Sequence, residues 1–296
     1  MVLQERGDLK VLTFPQLESL GVALHAFTTR HGGVSEGPYS TLNLGYHVGD
    51  DPLAVKENRR RAVASLFSPS SDVACDFAGE RCSLVAGEQV HGDRIAVVTE
   101  ADRGKEWAPW APGIPYTDGL VTRSGGVILS AYFADCVPIY LVDPVEKAIG
   151  LVHAGWRGTA LGIARKAILT LMNFFGTDPR NLHAGIGPSI GPCCYEASTE
   201  VAFRVIRACP EPDRGREGAG EVAMRLGGEG SEGEKWSVNL WEANRRQILS
   251  LGVPPLHVSV SGMCTCCRQD LFFSYRGSGA MTGRMAAFLA LRSYRG

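Results

Sequence analysis

The longest apolar run of the chain, at residues 127–142, constrains the fold more than any other feature. Asp135 and Pro138 interrupt this run. A transmembrane helix needs about 20 apolar residues, so the run is also too short to cross a bilayer. We therefore expect two buried strands joined by a sharp bend. A chain of 296 residues can bury about 75% of the surface that it exposes when unfolded, so a core that covers both strands is feasible.

The rest of the chain alternates between short strand-like runs and amphipathic segments with helical periodicity. We expect strands within 22–28, 85–99, 118–122, 127–134, 139–142, 148–152, 182–186 and 256–261. We expect helices at 51–67, 159–175, 196–209, 240–251 and 281–294. Because turns separate most of the strands and the helices gather late, the pattern favours an α+β fold with layered sheets in a single domain over residues 1–296.

The segment 211–234 differs from its surroundings in composition. It contains seven glycines and seven acidic residues, with almost no large apolar side chain. Such a segment cannot bury enough apolar surface to order itself, so we expect a solvated, mobile loop within the domain.

The near-equal numbers of basic and acidic residues indicate which kinds of binding partner the protein does not attract by charge. Thirty basic and thirty-one acidic residues give a net charge of −1, which provides no general attraction for nucleic acid or for an anionic membrane. A small-molecule substrate is the better expectation. The first fourteen residues lack the pattern of a secretory signal, and nine cysteines are too sparse for a disulfide-stapled scaffold. We therefore expect a cytoplasmic protein with free thiols.

Three potential metal ligands each lie at the end of a predicted strand, next to glycine or a turn. They are His91 in Q-V-H-G, Cys136 in A-D-C-V-P and His153 in H-A-G-W-R-G. Two histidines and a cysteine can hold zinc and leave a fourth position open, as in catalytic zinc sites. Two other interpretations stay open: Cys136 as a nucleophile with His153 as its base, or a turn histidine and a small buried cysteine without any chemistry.

Arg157 lies in the G-W-R-G-T turn, which leads from a buried strand into the clearest predicted helix. Free backbone N–H groups and the helix dipole favour an anion at such a junction, and a guanidinium suits phosphate or carboxylate. The alternative is a tight turn whose arginine points into solvent.

Further polar residues occur in glycine-rich or turn-like motifs. Arg30, Arg276 and Arg284 can each contact a ligand or remain solvated. Asp118 and Asp135 can orient metal ligands or cap turns.

A second group of thiols is conceivable. Cys193 and Cys194, at the end of a Gly/Pro-rich loop, can be set against Cys264 and Cys267 to form a four-thiolate zinc site. Adjacent cysteines suit a tetrahedral site poorly, so a cysteine-rich loop without metal is the favoured interpretation.

Eight ordered motifs together resemble one known family. They are T-T-R-x-G-G-V-S, Q-V-H-G, D-G-L-V-T, A-D-C-V-P-I, H-A-G-W-R-G-T, G-P-S-I-G-P-C-C-Y-E, F-F-S-Y-R and T-G-R, and they extend from Thr28 to Arg284. The chain resembles the YfiH/YlmD family, also called the laccase-domain or polyphenol oxidase family. Gly277, where a second basic residue is expected, and the long 211–234 segment depart from the family pattern.

The resemblance implies a single α+β layered domain, related to the catalytic domain of cytotoxic necrotizing factor. It also implies a zinc site formed by His91, Cys136 and His153, which are then the catalytic residues. Arg157, Arg30, Gln89 and Asp135 become candidates for binding substrate or phosphate.

The activities that the resemblance implies include phosphorolysis of adenosine, inosine and S-methyl-5'-thioadenosine to the free base and a ribose 1-phosphate. Adenosine deamination, copper-dependent phenol oxidation and editing of peptidoglycan precursors are also linked to the family. We expect a zinc-dependent purine nucleoside phosphorylase, a monomer or small homo-oligomer, that binds a purine nucleoside and phosphate.

The seven histidines argue against a true laccase. No two of them are separated by a single residue, whereas multicopper oxidases use many histidines, often in H-x-H pairs. Copper that replaces zinc in the same site would explain phenol oxidation. A hydrolase acting through Cys136 and His153, and a non-enzymatic protein with structural zinc, are the remaining alternatives.

Overall fold

The computed structural model of the chain describes residues 1–67, 75–76, 81–106, 108–210, 222–226 and 234–292. Its strands are β1 (Val2–Arg6), β2 (Leu9–Thr13), β3 (Ala23–Thr28), β4 (Cys75–Asp76), β5 (Arg81–Cys82), β6 (Leu84–Ala86), β7 (Ile95–Val97), β8 (Gly119–Thr122), β9 (Ile128–Phe133), β10 (Val137–Asp143), β11 (Ala148–Ala154), β12 (His183–Ile186), β13 (Glu196–Ser198), β14 (Ala223–Leu226), β15 (Lys235–Val238), β16 (Val258–Val260) and β17 (Met285–Leu291). Its helices are α1 (Pro15–Ser19), α2 (Pro52–Leu66), α3 (Trp156–Ala160), α4 (Ile163–Phe175), α5 (Thr199–Arg207), α6 (Leu240–Leu249) and α7 (Tyr275–Ser278).

Two six-stranded mixed sheets form the centre of the molecule. The first has the order β1-β2-β3-β17-β9-β6 and the second the order β16-β12-β10-β11-β8-β7. One apolar core lies between them, with side chains from β9 and β17 on one side and from β10 and β11 on the other. Helix α2 covers the outer face of the first sheet, and α4 and α6 cover the outer face of the second. The layered α+β fold is therefore confirmed.

The bend in the apolar run is the point at which the chain passes from one sheet to the other. Strand β9 lies in the first sheet and β10 in the second, and every residue of both strands is buried. Asp135, between the strands, has a φ of 86°, a left-handed conformation that a sharp turn demands. The expectation of two buried strands around a sharp bend is confirmed.

The expected helix at 281–294 is wrong. This segment contains β17, which lies between β3 and β9 in the first sheet and is buried along its whole length. Its alanine, leucine and methionine residues have high intrinsic helix propensity. A central strand covered on both faces loses the apolar–polar alternation that would have distinguished it from a helix.

Two other predicted helices differ from the structure near their first residues. The segment 159–175 is interrupted at Gly162, where a φ of 76° separates α3 from α4. In the segment 196–209 the first three residues form β13, and α5 starts after Ser198, whose hydroxyl accepts a hydrogen bond from the Val201 backbone N–H. Both helices begin where local backbone chemistry, rather than apolar periodicity, decides.

The segment 211–234 is not wholly a loop. Residues 223–226 form β14, which pairs with β15, and Val222 is buried. The rest of the expected mobile loop, apart from Glu234, lies outside the described residues. Cys82 is disulfide-bonded, so the expectation of free thiols does not hold for this residue.

Among the residues that the structure describes, none of the helices combines the length and the apolar character that crossing a bilayer requires.

Candidate active site and metal centre

The three predicted metal ligands meet where the chain crosses between the two sheets. Cys136 directly precedes β10, and His153 lies in β11 opposite Pro138 of β10. His91 comes from the connection between β6 of the first sheet and β7 of the second. One ligand atom from each residue lies within 4.8 Å of the other two. The sequence therefore identified a set of residues that the fold does bring together.

A single buried carboxylate holds two of these ligands. Asp118 Oδ1 accepts hydrogen bonds from His153 Nδ1 at 2.8 Å and from the His91 backbone N–H at 3.0 Å. Asp118 Oδ2 accepts from the backbone N–H groups of Gly92 at 2.7 Å and Val90 at 3.2 Å. This network supports the left-handed backbone of His91, whose φ is 61°. Because Nδ1 of His153 is occupied by Asp118, its Nε2 is the nitrogen left for a metal.

The charges in the site favour a thiolate. Burial would raise the pKa of the Cys136 thiol, but the neighbouring His153 and His91 lower it to about 6. Burial would lower the pKa of His153, whereas Cys136 and Asp118 raise it to about 9. Without a metal the two side chains therefore form a thiolate–imidazolium pair at neutral pH. A thiolate is also the form of cysteine that binds metal.

Glycine at position 155 keeps the centre open. A Cβ atom added to Gly155 would lie 3.0 Å from Cys136 Sγ and 3.0 Å from His91 Cδ2. The donor set of two imidazoles and one thiolate suits zinc, and copper binds the same atoms tightly. The residues present therefore fit a zinc ion and leave one coordination position free.

The three ligands line a cavity of about 700 Å³. Its lining includes an apolar segment, with Ala108, Pro109, Ala111 and Pro112, together with polar and charged side chains. A cavity of this size and character suits a ligand as large as a nucleoside.

Two of the predicted substrate residues line the cavity but are occupied with structural hydrogen bonds. The Gln89 side-chain amide donates to the Tyr132 carbonyl at 2.9 Å and accepts from the Tyr132 backbone N–H at 2.8 Å. Asp135 accepts from the hydroxyls of Thr265 and Ser274 and from the Arg276 backbone N–H, each at 2.7 Å. Both side chains fix the walls of the cavity.

The other two predicted substrate residues lie outside the set that lines the cavity. Arg157 is exposed, and its guanidinium stacks over the Trp156 ring at 4.9 Å. Arg30 donates to the backbone carbonyls of Ser40 and Gln269 and stacks on Phe273. Arg30 therefore supports loops near the site, whereas Arg157 packs on its own neighbour in α3.

Two other arginines do line the cavity. Arg276 donates to the backbone carbonyls of Cys194 and Glu196. Burial lowers the pKa of Arg284, while the negative charges of Cys136 and Asp135 act against that effect. The sequence motifs F-F-S-Y-R and T-G-R contain these arginines, but nothing in those motifs distinguished them from solvated ones.

The sequence motifs did not predict several polar residues of the cavity, among them His47 and Glu106. Burial, helped by the nearby Arg284, lowers the pKa of His47 to about 4, so its imidazole is neutral. Burial raises the pKa of Glu106 to about 7, against the pull of Arg59. Within the described part of the chain, Glu106 Oε2 is buried without a hydrogen-bond partner. His47 lies in a short 3-10 helix and Glu106 in a turn, and neither segment carries a recognisable motif.

Arg59 connects Glu106 to the core. It is fully buried, and its guanidinium lies between the rings of Tyr46 and Tyr132 at 4.2 and 4.1 Å. It hydrogen-bonds the Glu106 backbone carbonyl and lies 3.7 Å from its carboxylate. The position of Glu106 is therefore set by α2, on which Arg59 lies.

Comparisons with known proteins identify the family of the chain. The model of a family described as multi-copper polyphenol oxidoreductase laccase matches residues 24–292. A purine nucleoside phosphorylase YlmD from Geobacillus stearothermophilus is 42% identical over 270 residues, which cover 91% of this chain and 90% of that protein. The protein of the same name from Bacillus subtilis is 34% identical, with 90% of this chain and 87% of that protein covered.

The crystal structure of YlmD from Geobacillus stearothermophilus superimposes with a TM-score of 0.84 at 39% sequence identity, and 98% of each chain is covered. Sequence and fold thus agree over nearly the whole length of the chain. The chain belongs to the multi-copper polyphenol oxidoreductase laccase family, which is the YfiH/YlmD family that its motifs indicated.

Proposed function

We propose that this chain is a zinc-dependent purine nucleoside phosphorylase that converts adenosine, inosine or S-methyl-5'-thioadenosine into the free base and a ribose 1-phosphate. The observation that carries the proposal is the convergence of His91, Cys136 and His153 on a nucleoside-sized cavity that arginines also line. The names of the relatives, purine nucleoside phosphorylase, support the same reaction. A bound zinc ion would act as a Lewis acid that polarises an oxygen of the phosphate or of the ribose.

Phosphate needs cationic donors beside the sugar, and Arg284 and Arg276 are the residues placed to supply them. Arg284 NH1 donates to the backbone carbonyls of Thr282 and Gly283, which leaves other N–H groups of its guanidinium for an anion. Arg276 also keeps unused donors beside its bonds to two carbonyls. We assign phosphate binding to these two arginines in place of Arg157 and Arg30.

In phosphorolysis a phosphate oxygen forms a bond to C1' of the ribose while the bond from C1' to the base nitrogen breaks. The electron pair of that bond goes to the purine, which leaves more easily when it is protonated. Glu106, with a pKa of about 7 and a buried oxygen that has no partner among the described residues, is the cavity residue best suited to donate this proton. The apolar segment at 108–112, whose Ala111 carbonyl accepts a hydrogen bond from the Glu106 backbone N–H, fits the purine ring.

Adenosine deamination is a further activity of the same site in this proposal. It needs water to attack C6 of the adenine with ammonia as the leaving group, so the part of the nucleoside that lies beside the metal and the nucleophile bound there would decide the outcome. A location in the cytoplasm, as the sequence predicts, also belongs to the proposal.

The lowered pKa of Cys136 beside His153 also supports a second candidate, a cysteine hydrolase that acts on amide bonds. Metal distinguishes the two candidates. A hydrolase that uses Cys136 as a nucleophile would keep its activity after chelation, whereas the phosphorylase would lose it.

The test is to incubate pure zinc-loaded protein with adenosine or inosine and phosphate, and to quantify the base and ribose 1-phosphate by chromatography. We expect both products from the wild type and from Cys209→Ser, and neither from Cys136→Ala or after chelation. Cys209 is a suitable control because it belongs to neither group of potential metal ligands. Absence of both products from the zinc-loaded wild type would overturn the proposal.

A further inference from the structure

A second group of potential metal ligands lies beside the cavity, apart from the first. The thiols of Cys193, Cys194, Cys264 and Cys267 all lie within 4.8 Å of one another. All four are free cysteines. They come from two loops, one after β12 and one after β16, which are adjacent parallel strands. The parallel pairing sends both loops out at the same edge of the second sheet.

The distances between the sulfurs suit a metal better than a disulfide. Cys267 Sγ lies 3.4 Å from the Sγ atoms of both Cys193 and Cys194. In a tetrahedral site with zinc–sulfur bonds of about 2.3 Å, two sulfurs lie about 3.8 Å apart. A disulfide would require about 2.05 Å. Four thiols gathered at this spacing can close around one ion with little movement.

The backbone conformation lets the adjacent residues Cys193 and Cys194 both contribute to such a site. Residues 192–194 form a turn, in which the Cys194 backbone N–H donates to the Gly191 carbonyl at 3.0 Å. This turn directs both neighbouring thiols towards Cys267. Cys264 and Cys267 have the C-x-x-C spacing common in zinc sites, and the Gly191 backbone N–H donates to Cys264 Sγ at 3.3 Å. An N–H group directed at a sulfur stabilises its thiolate.

We propose that Cys193, Cys194, Cys264 and Cys267 bind a structural zinc ion, separate from the site at His91, Cys136 and His153. Four protein ligands complete a tetrahedral shell, so this ion has no open position for substrate. The ion joins the first loop, which lines the cavity, to the second loop, which contacts a residue of the cavity wall. Ile190 and Tyr195 line the cavity on the first loop, and Thr265 on the second bonds to Asp135, next to Cys136.

Metal content per chain tests the proposal without reference to activity. We expect about two zinc ions in the wild type and in Cys209→Ser, and about one in Cys136→Ala and in the double variant Cys264→Ser/Cys267→Ser. Elemental analysis of protein dialysed against metal-free buffer gives these counts. Cys209 is the matched control because it is a half-buried cysteine outside both groups.

A second experiment is needed if the double variant does not fold. Cobalt substitution serves this purpose, because it is done on protein that retains all four cysteines. Cobalt-loaded Cys136→Ala protein should keep intense thiolate-to-metal absorption, since the four remaining ligands are all sulfur. Loss of that absorption in Cys136→Ala would overturn the proposal. A zinc count of about one per chain in the wild type that falls to zero in Cys136→Ala would also overturn the proposal. A disulfide from Cys267 to Cys193 or Cys194, detected in non-reducing peptide maps, would overturn it as well.

Discussion

At the scale of single residues, Asp118 fixes the positions of two of the three candidate metal ligands, His91 and His153. Its two carboxylate oxygens accept four hydrogen bonds, one from His153 and three from the backbone at 90–92. An amide in its place has only one accepting oxygen, and its NH₂ group would face backbone N–H donors. The histidines would then lose their fixed orientation.

We expect Asp118→Asn to weaken zinc binding about 10- to 100-fold, as is typical when a group that orients a metal ligand is changed. Competition with a chromophoric chelator at fixed pH measures the affinity. Asp178→Asn is the control, since Asp178 forms an exposed ion pair with Arg180. Equal zinc affinities for the wild type and Asp118→Asn would show that the carboxylate does not position the ligands.

Glu106 leads to a pH prediction. Burial and the nearby Glu88 raise its pKa to about 7 while Arg59 opposes them. If the protonated acid donates to the leaving purine, kcat is high below pH 7 and falls as pH rises through that value, because the donor is then ionised. We expect Glu106→Gln to lower kcat for inosine about 100-fold or more and to remove this fall.

A nucleoside that already carries the positive charge provides the internal control. 7-Methylinosine needs no proton to leave, so Glu106→Gln should cleave it at nearly the wild-type rate. The pH profiles of kcat for both substrates, from steady-state assays of base release, test the assignment. Equal losses on the two substrates would mean that Glu106 has only a structural role.

At the scale of elements, β17 lies in the middle of the first sheet and joins β3 to β9. Phe288 is fully buried and lies opposite Ala26 of β3 and Ser130 of β9. Its side chain packs in the core between the sheet and α2. We expect Phe288→Ala to lower the free energy of unfolding by about 3–5 kcal/mol, as for other buried phenylalanines.

The matched control is Phe174→Ala in α4, since Phe174 is 66% exposed. We expect this change to cost less than about 1 kcal/mol. Urea denaturation of both variants gives the two values. A loss at position 288 as small as that at position 174 would contradict the central place of β17.

The elements also show what could be predicted from the sequence and what could not. The strands that position Cys136 and His153 were predictable because short apolar runs end at turns, and strand ends present side chains to a cleft. The strand β17 was not, because a strand buried on both faces has the composition of a helix. Arg157 was preferred over Arg284 because a helix start is visible in sequence, whereas the approach of residue 284 to Cys136 depends on long-range packing.

At the scale of the whole molecule, the metal centre lies where two connections between the sheets meet. His91 lies on the passage from the first sheet to the second between β6 and β7, and Cys136 lies on the passage between β9 and β10. His153, within β11 of the second sheet, completes the set. A metal held by all three therefore ties both passages together, and its binding energy contributes to the stability of the folded chain.

Zinc buffered at about 100 times the Kd of this site should raise the free energy of unfolding by about 2.7 kcal/mol. His91→Ala should lose that increment, while His31→Ala should keep it, because His31 bonds to the Asp270 carbonyl away from the centre. Urea titrations of each protein at two buffered zinc concentrations measure the increment. Taking the difference between His31→Ala and His91→Ala cancels any stabilisation by the four-cysteine site, which both variants retain. A zinc-dependent gain that is the same in both variants would mean that the centre does not couple the two sheets.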